Sequence, residues 1–218
     1  MSPWRVQGLR HSLSKSSSHN KAINADAPAS SAPVIATLYG RKKERNSMTC
    51  PRIFVSSTFY DLKHVREIIR KFILDQGYEP VLSEFSDVFY NPSDTVQNSC
   101  LKEVSNCDLF VLIVGKRYGS PFPGDSLSIT HKEYLEAQNV GIPIYSFVDI
   151  DVLHDYEFYL KNNRSTAFQF RVVQEKEVFD LIDEVQRASK DNSLIPYSSI
   201  DDILQHLKKQ WAKLLKSF

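Results

Sequence analysis

The hydrophobic and polar positions of this chain change period along its length, and the changes divide it. Up to residue 47 no period holds: HSLSKSSSHNKAINADAPASSAP is Ser, Ala, Asn and Pro with scattered apolar residues. Such a stretch buries too little apolar surface to offset its ordering entropy, so residues 1–47 are expected to be disordered. From residue 51 short apolar runs alternate with stretches of helical period. IFVSS reads as a strand running into hydroxyls. Behind it Leu62, Val65, Ile68, Ile69, Phe72 and Ile73 recur at helical spacing as far as Gly77, a natural stop. Asp61, immediately before that stripe, is the expected N-cap, with Thr58 as a second capping hydroxyl. EPVLSEF reads as a second strand, and Pro92-Ser93 opens a helix that runs to about Val104. DLFVLIVG is apolar without alternation, the mark of a strand buried on both faces of a parallel sheet. A loop, KRYGSPFPGDSLS, leads to the helix THKEYLEAQNVG and then to a fourth strand, IPIYSFVDI.

After residue 150 the pattern predicts a short helix in HDYEFYLKNNRS, a fifth strand in FQFRVV, and an amphipathic helix in QEKEVFDLIDEVQRAS. A last helix is capped by Ser199, carries Asp201 and Asp202 in its first turn, and shows a stripe from Ile200 through Trp211 to Leu215. There is no internal repeat. Strand–helix alternation with short connections predicts an α/β fold: a doubly wound, mostly parallel sheet built of right-handed crossovers. Residues 48–150 form the α/β domain, and residues 151–218 are a mainly helical extension of it. Ligands of such sheets bind at the carboxyl ends of the strands, where the strand order reverses.

Charge sharpens the division. The overall +1 is uneven: residues 1–47 hold eight Lys and Arg against Asp26 and Glu44, net +6, which leaves −5 on the remainder. The globular part is mildly acidic and shows no basic footprint for nucleic acid. Met48 stands just before TCPRIFVSST, so the leader is read first as an over-extended start with Met48 as the alternative. A solvated tail and an organellar targeting segment are the other readings. No apolar run approaches the roughly 18 residues of a membrane span. Three cysteines (Cys50, Cys100 and Cys107) without CxxC spacing argue against a disulfide framework or a zinc site and suit a reducing, cytoplasmic setting. The histidines show no paired-ligand spacing, so no metal or resident cofactor is expected.

The predicted crevice gathers a defined set of side chains. Ser56, Ser57 and Thr58 follow the first strand, and Ser83 and Glu84 end the second. Gly115, Lys116, Arg117, Tyr118 and Gly119 follow the third, and Ser128, Thr130, Glu133 and Tyr134 open the next helix. Glu133 has two readings. A carboxylate in the first turn beside a crevice can hold a ribose and stabilise positive charge developing at an anomeric carbon. Thr130-x-x-Glu133 is equally the spacing of a capping box, in which the glutamate folds back on the helix N-terminus. GKRYG also has two: amides and basic side chains facing a phosphate with Tyr118 stacked on a base, or an ordinary tight turn. GxSxG, GxxxxGK[ST] and GxGxxG are absent.

The stretches IFVSSTFYDLKHVRE, CDLFVLIVGKRYG and SLSITHKEYLEAQNVGIPIYSFV, in this order, resemble the domain of unknown function 4062 (DUF4062) family. There an I-F-[IV]-S-S-T-F-x-D-L opening, a G-x-x-Y-G turn and an S-x-T-x-x-E-Y-x-x-A helix recur. The resemblance covers about residues 51–150 and extends toward the C-terminus through IPYSSIDDILQHL; nothing before Met48 matches. One departure is the order Arg66-Glu67, where the family usually has an acidic residue before an arginine. The resemblance implies a flavodoxin-like sheet similar to Toll/interleukin-1 receptor (TIR) domains and nucleoside deoxyribosyltransferases, which use a glutamate on a corresponding helix to break an N-glycosidic bond. It implies Glu133 as the catalytic residue, with Ser56, Ser57, Thr58, Glu84, Gly115, Arg117, Tyr118 and Tyr134 around a nucleotide. NAD is then an expected substrate, in a signalling or defence setting. The alternative it implies is a non-catalytic module that self-associates, binds a signalling partner or senses a nucleotide.

Overall fold

The computed structural model describes residues 50–58, 60–83, 93 and 95–214; the leader with Met48, and Glu84 and Pro92, lie outside the described residues. The elements run β1 (Arg52–Ser57), α1 (Lys63–Asp75), β2 (Glu79–Val81), α2 (Val96–Val104), β3 (Leu109–Val114), α3 (Ile129–Val140), β4 (Ile144–Asp149), α4 (Ile150–Lys161), α5 (Glu177–Arg187), β5 (Leu194–Tyr197) and α6 (Ile200–Leu214). Among the described residues the sheet has five strands in the order β2-β1-β3-β4-β5. Every neighbouring pair is parallel. This is the flavodoxin-like order, whose reversal lies between β1 and β3.

The period of two along each strand sorts side chains between the two faces. Ile53, Val55, Val111, Ile113 and Phe147 pack against α1 and α6 through Ile69, Ile73, Leu207 and Trp211. Phe54, Phe110, Leu112 and Val148 pack against α2 to α5 through Val104, Tyr134, Val152 and Phe179. The rings of Phe54 and Phe110 stack across β1 and β3 with centroids 5.5 Å apart. All of β3 is buried, as its unbroken apolar run predicts. Replacing one of these rings with alanine should cost about 3–5 kcal/mol. The helix–sheet alternation therefore does one thing for function. It leaves the carboxyl ends of β1 and β3 side by side at the reversal of strand order.

Two expectations change in the C-terminal part. FQFRVV is not a strand. The amides of Arg171, Val172 and Val173 instead donate to the Asp155 carboxylate at 3.1, 2.7 and 3.0 Å, so a side chain takes the donors a ladder would need. The fifth strand is Leu194–Tyr197, paired with β4 from Ser146↔Leu194 to Asp149↔Tyr197. It contains Pro196, which an edge strand tolerates because one row of its donors has no partner strand. At α6 the Asp202 carboxylate turns back to accept from the amides of Ser198 and Ser199 at 2.9 and 2.8 Å. These bonds hold its carboxyl at about 2.

Candidate functional site

The site begins with the alternation of β1. Ser56, 1% exposed, follows Phe54 onto the face covered by α2 and α3, and its hydroxyl donates to Glu133 Oε2 at 2.6 Å. Glu133 is itself buried, at 6%. The capping reading of this glutamate is not realised. The N-cap of α3 is Ser128, whose Oγ accepts from the His131 amide at 3.2 Å. The helix thus starts before Thr130, and Glu133 falls beyond the position from which a capping-box side chain reaches back. Its carboxylate is placed by Ser56 across the β1–α3 contact.

Glu133 lies in a cleft of about 390 Å³ at the β1/β3 reversal, together with Ser57, Thr58, Tyr60, Asp61, Arg66, Ser83, Arg117 and Thr130. That volume falls in the lower part of the range of small-molecule pockets. Arg66, 3% exposed, reaches from α1 to the end of β1. Its Nη1 donates to Ser57 Oγ at 2.8 Å and to the Ser57 carbonyl at 3.3 Å. Ser57 Oγ in turn donates to the Thr58 carbonyl at 3.1 Å. The Thr58 hydroxyl donates to the Asp61 carboxylate, whose other oxygen accepts the Lys116 amide at 3.1 Å. Asp61 therefore does not cap α1; the N-cap position is Leu62, with no side-chain capping bond.

The GKRYG turn divides its residues between two environments. Arg117 is exposed at the cleft and lies 5.8 Å over the ring of Tyr60, which is 80% exposed. Tyr118, one residue on, is buried away from the cleft, and its hydroxyl shares a 2.8 Å hydrogen bond with His131 Nδ1. Burial raises the Tyr118 hydroxyl pKa and lowers that of His131, and both shifts favour the neutral forms. Tyr134 is fully buried, accepts from Gln138 Nε2 at 2.7 Å, and has its hydroxyl pKa raised by that burial. Gly115 packs on Asp61 and Leu62. The cleft thus unites Ser57, Thr58, Arg117 and Glu133, with Ser56 one bond behind. It does not include Gly115, Tyr118 or Tyr134, because the turn and the helix direct them into packing. Glu84 lies outside the described residues.

Sequence reasoning missed Arg66 and Tyr60. Arg66 carried a signal: with Ile69 and Ile73 it forms the buried face of α1, where a cation must be partnered. Tyr60 had none, since exposure at a rim leaves no periodicity. Among the described residues no three His, Cys, Asp or Glu side chains converge as metal ligands. No described helix is long and apolar enough to cross a membrane. What the cleft offers is the buried Glu133 carboxylate, the Asp61 carboxylate tied to Thr58 and Lys116, hydroxyls, and two guanidinium groups, that of Arg66 bonded to Ser57. Such a set suits a hydroxylated, anionic ligand and favours positive charge developing beside the carboxylate.

No curated protein matches the chain. Among solved structures it is similar to the Clostridium botulinum CMP N-glycosidase BcmB at 18% identity, over 73% of this chain and 98% of that one, with a TM-score of 0.41. The model of the family described as domain of unknown function (DUF4062) matches residues 52–212. With most of its length matched, from β1 into α6, the chain belongs to the DUF4062 family.

Proposed function

We infer that the cleft binds NAD or a related nucleotide and hydrolyses its N-glycosidic bond, in a cytoplasmic signalling or defence setting. The observation that carries this reading is the Glu133 carboxylate. It is buried, free of a capping role, fixed by Ser56 at 2.6 Å, and lines the cleft at the strand-order reversal. In the reaction the bond between the ribose anomeric carbon and the base nitrogen breaks, and its electron pair leaves with the base. Glu133 holds a ribose hydroxyl and stabilises the oxocarbenium-like charge left on the sugar. Water adds to the anomeric carbon and releases a proton to solvent. With NAD the products are ADP-ribose, nicotinamide and that proton. Thr58, Tyr60 and Arg117 line the cleft; in this reading Thr58 lies beside the ribose, and Arg117 with Tyr60 meets the phosphate and the planar ring at the mouth.

The test is incubation of the full chain at high concentration with NAD, with nicotinamide release followed by chromatography. Glu133→Gln keeps an acceptor for Ser56 but removes the charge, so turnover should fall at least about 100-fold. Release unchanged by Glu133→Gln would remove this assignment. A second reading, nucleotide sensing without turnover by a self-associating or partner-binding module, draws on Ser57. Its hydroxyl is already spent between Arg66 and the Thr58 carbonyl. Saturable nucleotide binding without product would favour it.

A further inference from the structure

The two loops that wall the cleft are interlocked, and Asp61 is the link. One of its carboxylate oxygens takes the Thr58 hydroxyl within the β1–α1 loop, and the other takes the Lys116 amide of the β3–α3 turn at 3.1 Å. The contact is close enough to dictate sequence on the other side. A Cβ at Gly115 would stand 2.5 Å from Asp61 Oδ2, and one at Gly119 would stand 3.0 Å from Thr58 Cγ2. Gly119 also adopts φ +91°, a region that disfavours any other residue. Both glycines of the GKRYG turn are thus explained by packing against Thr58 and Asp61. The residue carried between them is Arg117, held over the ring of Tyr60 from the opposite loop.

We propose that Asp61 is a positioning residue: by joining the two loops it fixes Arg117 at the mouth of the cleft, where Arg117 meets the phosphate of the bound nucleotide. The inference rests on the reading that the cleft takes a nucleotide. It makes a prediction that a merely structural role does not. Loosening the clamp weakens recognition of the phosphate and leaves the rest of the ligand alone.

The experiment compares NAD with nicotinamide riboside, which has the same glycosidic bond and no phosphate, and adds nicotinamide mononucleotide, which differs from the riboside by the phosphate alone and should respond as NAD does, measuring KM for turnover and calorimetric binding on the full chain. Arg117→Met and Asp61→Ala should each weaken NAD about 10-fold, the loss expected for one charge-assisted contact, and leave the riboside within about 2-fold. Asp61→Ala should add little in an Arg117→Met background, because both act through one contact. Asp61→Asn should rescue, since its carbonyl can accept from Lys116 while its amide donates to Thr58. If Asp61→Ala melts well below the wild type, Gly115→Ala supplies the same displacement from the other side. Hydrogen exchange at the Lys116 amide reads the clamp whatever the chemistry, and should quicken in Asp61→Ala. Equal weakening of both ligands, full additivity with Arg117→Met, or unchanged Lys116 exchange would each overturn the proposal. Binding without turnover in the wild type would instead sink the glycosidase reading alone.

Discussion

Asp155 should be one of the most costly single carboxylates to neutralise, although it lies outside the cleft. It sits on α4, 6% exposed, and its two oxygens take three consecutive amides: Arg171 at Oδ1, and Val172 and Val173 at Oδ2. Those amides begin a strap that continues onto the cleft turn. The Gln174 amide donates to the Lys116 carbonyl at 3.2 Å, and Glu175 Oε2 accepts the Tyr118 amide at 3.1 Å. Asp155→Asn keeps one acceptor and turns an NH₂ toward the N–H groups that the other oxygen served. Each hydrogen bond to a charged acceptor contributes about 1.5–3 kcal/mol, and a buried donor left unpaired costs about 1–3 kcal/mol. Because the three bonds share one carboxylate they will not add fully, and a net loss of about 2–4 kcal/mol is expected. For a domain of this size that is a fall in Tm of roughly 5–15 °C. Calorimetry gives the Tm, and hydrogen exchange should show faster exchange at Val172 and Val173 first, then at Tyr118. A variant that melts with the wild type and keeps slow exchange at Val172 and Val173 would refute this reasoning.

Three further outcomes are expected. Ser56→Ala removes the hydroxyl that holds Glu133 at 2.6 Å; under the proposed function, kcat for NAD hydrolysis should fall about 10- to 100-fold with KM little changed, and an unchanged kcat would show that Ser56 does not set the carboxylate. The folded pKa of Asp202 is lowered from 3.8 to about 2 by the Ser198 and Ser199 bonds. Its contribution is therefore complete above the unfolded value and lost as pH falls toward 2, so Asp202→Asn should lose less Tm than the wild type over that window. Burial pushes the Cys107 thiol up to about 12, and Cys100 is buried too, whereas Cys50 is exposed. Titration of the native chain with a thiol reagent near pH 8 should accordingly find Cys50 fast and the other two reactive only on unfolding.

The elements that position the cleft were legible where period and burial coincide. Ile53–Val55 and Leu109–Val114 are apolar without interruption because the sheet is covered on both faces, and the stripe of α1 ends at a glycine with φ +78°. The reversal rule then brought Ser57, Arg117 and Glu133 to one crevice from three separate segments. What was not legible depended on tertiary competition for hydrogen bonds. FQFRVV has strand composition, but Asp155 takes its amides; LIPY reads poorly as a strand, but β4 offers it a partner. Ser128 and Thr130 are both hydroxyls at the head of α3, and spacing alone does not say which one caps. Arg117 and Tyr118 are adjacent on a turn, and only its three-dimensional path decides that one faces the cleft while the other faces His131.

That path is set from both sides, and this decides how the segment after residue 150 should be understood. The Lys116 amide is taken by Asp61 from the α1 side, while the Lys116 carbonyl and the Tyr118 amide are taken by Gln174 and Glu175 from the strap before α5. Arg117 is left to project between them. The same C-terminal segment closes both faces of the sheet. Val178, Phe179, Leu181, Ile182 and Val185 complete one core cluster, and Tyr197, Ile203, Leu207 and Trp211 complete the other. Even at about 1.5 kcal/mol for each buried side chain, the lower end of the usual range, their burial rivals the about 5–15 kcal/mol that separates a typical folded domain from its unfolded chain. The segment is therefore not an appendage to a finished α/β domain. It supplies an edge strand, the outer core and two of these three bonds that hold the cleft turn in place, so the residues that line the cleft depend on α5 and the strap as directly as on β1 and β3.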